Sequence, residues 1–267
     1  MKSQHPLLPG GERSVLAGDG IGEPNLREHL MAHPRINERD YSVESEYEYG
    51  SRAGFWRMFR LFSKHGLKFT LYAAGHDVAS HAYCWINYHD YPVDREREYI
   101  KKAVLSLKAP TGYAPRGWYY SRPSPHSRSL VPVVYEELGE ELVRASDAYA
   151  DDVPYWTDLP MERDCLKLKR CLMVPYSYDC NDFKFLSAGP GFRDTEGFYN
   201  HLKNAFDMLY EEGQEGAPKM MTIGLPCRIT GRPGRFAALR DFVEYIGKKE
   251  GVGWQHEQYP YKKGRLA

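Results

Sequence analysis

Apolar positions fall into a regular rhythm after Gly50. Phe55, Met58, Phe59 and Phe62 recur at i, i+3, i+4 and i+7, which predicts an amphipathic helix with Ser51 as its N-cap, ending near Gly66. From Leu67 to Tyr72 the period drops to two, and the β-branched and aromatic content predicts a strand. A second helix, capped by Asp94, gathers Tyr99, Ile100, Ala103, Val104 and Leu107 on one face and stops at Thr111-Gly112, before a strand from Arg116 to Tyr120. A third stripe of Phe198, Leu202, Ala205, Phe206 and Leu209 lies between Thr195 and Glu212. The apolar run Lys219 to Leu225 after it predicts a buried strand. The last helix starts on Pro233, buries Phe236, Leu239, Val243 and Ile246, and places Gly247 at C′.

Helices alternating with short strands predict parallel β/α construction, as a barrel or an open doubly wound sheet. Residues 1–49 carry Gly, Pro and charge with only short apolar pairs and read as an extended arm. Residues 50–250 form the barrel domain and 251–267 a divergent tail. One junction breaks the rhythm: only Ala73 and Ala74 separate Tyr72 from the strand-like Gly75-His76-Asp77-Val78-Ala79-Ser80-His81. Two residues suffice for a hairpin but not for a parallel crossover, which needs about a dozen. Either the local order is antiparallel or a unit is absent.

Charge changes the picture by exclusion. The 36 basic and 36 acidic residues balance, which removes the cationic footprint that nucleic acid or an anionic membrane requires. The 42% hydrophobic content supports a sizeable core, and no apolar stretch reaches the roughly 18 to 20 residues of a membrane span. Five cysteines without a C-x-x-C pair indicate neither a disulfide framework nor a structural zinc site. With an amino-terminal KSQHPLLPGGERS that lacks an apolar h-region, and no N-x-[ST] sequon, the chain reads as a soluble cytoplasmic protein.

Candidate chemistry sits where strands break into loops. His76 and His81, five apart, point to opposite faces of a strand, so only one faces a given cavity. His81 is then a site residue or a core histidine. Arg122, in the proline-braced loop after Trp118-Tyr119-Tyr120, suits an anionic or carbonyl-rich ligand, or stacks on those aromatics. Asp151 and Asp152, between Tyr149 and Tyr155-Trp156, supply a general base through mutual repulsion or merely cap a turn. Pro175 to Asp182 raises the same question more weakly. Gly224 to Arg235 follows a strand and opens a helix, putting Arg228 and Arg232 at a positive helix end suited to an anionic group. The result is a pocket of Arg, Asp, His and aromatics with no metal cluster and no cofactor.

Five ordered segments carry a family resemblance: Tyr47 to Arg57, Gly75 to Tyr88, Ser146 to Trp156, Pro175 to Phe183, and Ala217 to Arg235. They resemble the polysaccharide deacetylase (NodB-homology) family over most of residues 41–247, and within it the branch of metal-independent allantoinases and fungal proteins labelled chitin deacetylases. The resemblance implies a distorted (β/α) barrel, often a tetramer, that hydrolyses a non-peptide carbon–nitrogen bond in a small-molecule amide or an N-acetylated sugar. Metal-dependent members bind a divalent ion through an aspartate and an H-x-x-x-H pair. Here the stretch is His81-Ala82-Tyr83-Cys84-Trp85, and an indole is no metal ligand. The resemblance thus implies His81, Asp151 and Asp152 as catalytic groups and Trp85, Arg122, Arg228 and Arg232 as substrate-binding ones.

Three departures qualify the match. Pro9 to Arg13 replaces the family's first strand and its N-Y-E-E-G motif, the crossover between Tyr72 and Gly75 is missing, and Pro226 stands where a G-L-H-C-R motif has histidine. The barrel is therefore incomplete by at least one strand. Three functions follow: allantoin hydrolysis to allantoate, chitin deacetylation, or a catalytically silent scaffold.

Overall fold

Ile100, Ala103 and Val104 do what their spacing predicts: they are buried from one face of a long helix against a sheet. The computed structural model describes residues 41–69, 79–83, 88–120, 122–161, 168–187 and 191–253. Its elements are α1 (Tyr41–Tyr49), a π-helical turn (Gly50–Gly54), α2 (Phe55–Lys64), β1 (Ala79–Ser80), α3 (Val93–Thr111), β2 (Gly117–Trp118), α4 (Ser127–Glu137) and β3 (Arg144–Ala145). The chain continues through β4 (Tyr155–Pro160), β5 (Leu168–Met173), 3-10 turns at Tyr178–Cys180 and Asp182–Leu186, α5 (Thr195–Gln214) and α6 (Pro233–Ile246).

Among the described residues the five strands form one sheet in the order β1-β2-β3-β5-β4, which does not close on itself. β1, β2, β3 and β5 run parallel, and α3 and α4 supply the crossovers from β1 to β2 and from β2 to β3, as parallel pairing demands. β4 pairs antiparallel with β5 and closes one edge. The parallel strands are short, but backbone bonds extend the ladder past their ends: Tyr119 donates to Ser80 (3.0 Å), Ser146 to Trp118 (3.0 Å), Val174 to Ala145 (2.8 Å) and Tyr176 to Ala148 (2.9 Å).

Three apolar clusters hold this frame. Trp118, Ala145, Cys171 and Met173 from the strands pack with Ile100 and Val104 of α3 and with Val131, Val134 and Tyr135 of α4. Phe198, Leu202 and Phe206 of α5 meet Ala238, Phe242 and Ile246 of α6. The other side of α6, Leu239 and Val243, receives Met58 and Leu61 of α2. A helix buried on two sides needs a broad apolar stripe, and the sequence of α6 supplies one.

Several expectations are corrected. Tyr41–Tyr49 is helical rather than extended, and Ser51 lies inside the π turn, its hydroxyl donating to the Glu48 carbonyl (3.1 Å) rather than capping a helix. Asp94 sits in the first turn of α3, whose N-cap is Pro92. Gly247 ends α6 with a right-handed φ of −63°. Residues 219–225 form no strand. Ser177 and Thr222 instead exchange backbone-to-hydroxyl bonds (2.6 and 3.0 Å), and the side-chain oxygens replace ladder carbonyls. Leu67 to Phe69 are not strand either. The rest of that predicted strand, the Tyr72–Gly75 junction, His76, residues 1–40 and residues 254–267 lie outside the described residues.

Candidate functional site

The parallel strands end on one side of the sheet, and their following residues meet there. His81 follows β1 and lies against the ring of Tyr119 after β2, with centroids 5.1 Å apart. Tyr119 stacks on Tyr176 after β5 at 5.2 Å, and its hydroxyl is 3.3 Å from that of Tyr149 after β3. Asn181 donates to the Tyr176 hydroxyl (2.6 Å), and its own side-chain oxygen accepts from the Phe183 N–H (2.8 Å). Gly224 closes over this pair: a Cβ there would run into the Tyr176 hydroxyl and come within 2.7 Å of Asn181 Nδ2.

His81 is a neutral base at pH 7. Burial pushes its pKa down to about 4, helped by the positive charge of Arg122 and opposed by hydrogen bonding to the Tyr119 backbone. Its Nδ1 is cut off from solvent even though part of the residue is exposed. Burial likewise keeps the Tyr119 and Tyr176 hydroxyls protonated far above neutrality.

Arg122 rides on a braced loop. Its carbonyl accepts from the Tyr88 N–H (3.3 Å), and two residues on, Ser124 donates to Glu96 Oε2 (2.6 Å). Ser127, the first residue of α4, donates to the other oxygen of the same fully buried carboxylate. Asp147, two residues after the neighbouring β3, accepts from the Tyr120 N–H and helps to fix the loop.

Asp151 and Asp152 lie at the exposed rim. Asp151 Oδ1 accepts from the Asp152 N–H (2.7 Å), the turn-capping role, while the Asp152 carbonyl accepts from Met220 (2.7 Å). Tyr149, whose hydroxyl meets that of Tyr119, stands two residues before Asp151 in the chain. Arg228 and Arg232 form a second cluster on the segment before α6. Arg228 lies over Tyr47 (4.7 Å) and Phe183 (5.3 Å), and Arg232 over Tyr49 (3.8 Å). Gly50 and Gly54 let α1 and the π turn press against this segment, and Tyr49 and Arg57 hydrogen-bond to the Gly231 carbonyl. Trp85 lies outside the described residues.

Asp182, the last residue of the weaker Pro175 to Asp182 candidate segment, is the buried acid of the site. It has no solvent-exposed surface. Its Oδ2 accepts from the Thr230 N–H (3.0 Å), whereas Oδ1 is buried without a hydrogen-bond donor. Burial raises its pKa to about 8, against the Thr230 hydrogen bonds and the charges of Arg228 and Arg235. Asp182 therefore links the arginine cluster to Asn181 and the tyrosines. The Pro175 to Phe183 segment points to it, but the partner that buries it stands 48 residues later in the chain.

These shifts have opposite consequences for stability. Between about 4 and 8 the unfolded chain has lost the Asp182 proton while the folded chain keeps it, so stability falls as pH rises, by up to about 1.4 kcal/mol per unit, and above about 6.5 the opposing His81 slope is over. His81 acts on the acid side: its folded value of about 4 lies below 6.5, so the unfolded chain binds the proton first and stability falls as pH drops through that window. Asp182→Asn is expected to flatten the alkaline slope of the urea midpoint and spare His81's contribution. An unchanged slope between pH 6.5 and 8 would assign it to another group.

Among the described residues His81 belongs to no cluster of three His, Cys, Asp or Glu donors, and Trp85 offers no lone pair where the second histidine would stand.

The chain is 46% identical over 269 residues to a curated protein of Schizosaccharomyces pombe (strain 972 / ATCC 24843) named "Putative polysaccharide deacetylase", covering 91% of this chain and 82% of that one. The chain belongs to the polysaccharide deacetylase family. That match spans more positions than the chain's 267 residues yet takes in only nine-tenths of them, so the deacetylase relative carries segments this chain lacks. Two solved structures share the architecture at 41% identity. "Puue Allantoinase" superposes with a TM-score of 0.81 over 93% of this chain and 84% of its own. A "probable Polysaccharide deacetylase" from Pseudomonas aeruginosa PAO1 superposes with a TM-score of 0.80 over 92% and 84%. No protein-family model matches the chain. The deacetylase family is one of hydrolases built on this α/β frame, and no helix among the described residues is long and apolar enough to cross a membrane.

Proposed function

We propose that the chain hydrolyses a carbon–nitrogen bond in a small amide without a bound metal, opening allantoin to allantoate. The observation that carries this reading is the neutral His81 ring against Tyr119, with the Arg122 charge acting on it, at the ends of adjacent parallel strands. Water adds to the amide carbonyl carbon as His81 takes its proton. Arg122 offsets the negative charge that develops on the carbonyl oxygen, the carbon–nitrogen bond breaks, and the proton passes to the departing nitrogen. Asp151 and Asp152 orient the substrate from the rim, and Arg228 and Arg232 serve its anionic end. Trp85 in place of a histidine ligand and the likeness to an allantoinase structure support the metal-free small-molecule substrate. The relatives named as polysaccharide deacetylases support an N-acetylated sugar equally, and that is the second reading. Either is taken to act in the cytoplasm as a homo-oligomer, a tetramer by family likeness.

Purified protein should release allantoate from allantoin with chelator present. Chelator-sensitive acetate release from chitin oligosaccharides would replace this reading with the second, and no turnover of either would leave a silent scaffold. Arg122→Ala is expected to lower kcat/KM by about 10²-fold or more while leaving the melting temperature nearly unchanged. Equal loss of both would make Arg122 structural.

A further inference from the structure

Outside the groups assigned to amide cleavage, three donors converge on one spot. Asp179 and Cys180 come from the Tyr178–Cys180 turn and His201 from the second turn of α5. Their carboxylate oxygen, sulfur and ring nitrogen lie within 4.8 Å of one another. His201 Nε2 and Asp179 Oδ2 are 3.1 Å apart. Two such ligands at about 2.0 to 2.1 Å from a tetrahedral zinc ion are separated by about 3.3 Å, so this edge of the site is already in place. Phe192 lies against the His201 ring at 5.3 Å and sets its orientation, and the Cys180 N–H donates to the Ser177 carbonyl (3.0 Å), fixing the turn.

Burial pushes the Cys180 thiol up to about 12; the Asp179 and Asp152 carboxylates act in the same direction, and the Lys184 ammonium, which lies over the Tyr178 ring at 5.5 Å, opposes them. An Asp–His contact this exposed stabilises little by itself and gives no role to the sulfur beside it. Nor does the sulfur suit a nucleophile, because Cys180 is almost wholly buried. One thiolate, one imidazole and one carboxylate together select a borderline-soft divalent ion over magnesium or calcium, with a fourth position left for water.

We propose that Asp179, Cys180 and His201 bind one zinc-like divalent cation per chain. On binding, the Cys180 S–H bond is lost, its proton passes to solvent and a sulfur–metal bond takes its place. The ion ties α5 to the turn that continues into Asn181 and Asp182. This site is separate from His81, and the proposal stands whether or not the chain cleaves amides.

The test uses the full chain, stripped with chelator, dialysed and titrated with cobalt(II). One equivalent should saturate a near-ultraviolet thiolate-to-cobalt charge-transfer band together with visible d–d bands, and zinc should abolish both. Cys180→Ser should lose the charge-transfer band, and His201→Gln should weaken cobalt binding at least about 10-fold, with metal-free melting temperatures unchanged. A wild type without a saturable thiolate band overturns the proposal, as does a band that persists in Cys180→Ser. Should Cys180→Ser not fold, a His201→Gln titration identical to wild type overturns it equally. None of these readouts depends on turnover.

Discussion

Glu96→Ala is expected to destabilise the protein by roughly 3 to 5 kcal/mol, the loss of two hydrogen bonds to a buried charged group. The carboxylate is fully buried in the first turn of α3 and accepts from Ser124 at 2.6 Å and from Ser127. Truncation strands both hydroxyls in a dry site and removes a negative charge from the start of α4. At about 2 to 4 °C per kcal/mol for a chain of this size, the melting temperature should fall by roughly 6 to 20 °C. Equilibrium urea unfolding checks it. Glu96→Gln, which keeps the shape and an acceptor, should recover part of the loss. A change below about 1 kcal/mol would mean that the serines find water and that the Arg122 loop is held by other contacts.

Gly54→Ala is the second large effect, expected to cost about 3 kcal/mol through backbone overlap. The π turn brings Gly54 so close to the segment before α6 that a Cβ would be driven into the Cys227 carbonyl, 2.9 Å from its carbon and 3.3 Å from Gly231 Cα. Backbone cannot step aside as a side chain can. Gly234→Ala in the first turn of α6 is the control, because a Cβ there meets nothing within 4 Å. It should be neutral or slightly stabilising. Equal melting temperatures for both variants would show that α1 and α2 can be displaced from the arginine segment without loss.

The helices were legible because their stripes are local. The apolar positions of α3, α5 and α6 repeat every three or four residues, and the structure buries most of them, leaving Leu107, Ala205, Leu209 and Phe236 half-buried at the edges of the stripes. The strands were less legible. β1, β2 and β3 are two residues each and owe their pairing to partners about 30 residues away, a contact that no window of periodicity contains. The β4–β5 hairpin escaped notice because Asp158, Pro160, Lys169 and Arg170 break its alternation. β4 is an edge strand, which tolerates Asp158 and Pro160, and Lys169 and Arg170 lie where β5 pairs with β4 alone. At the site, His81 and Arg122 stood out as polar residues following strands, whereas the burial of Asp182 depends on Thr230 and could not be read locally. The tyrosines that link these groups differ in a way no local pattern gives: Tyr119 and Tyr176 are buried whereas Tyr149 is exposed.

The parallel order of β1, β2, β3 and β5 also has a consequence for how such a protein diversifies. Arg122, Tyr149 and Tyr178 each ride on a different connection leaving the sheet on one side, while the cluster that holds the strands to α3 and α4 lies beneath them. Mutations in one connection can retune what is gripped while the foundation stays intact. Chemical preference can thus drift among lineages far faster than architecture.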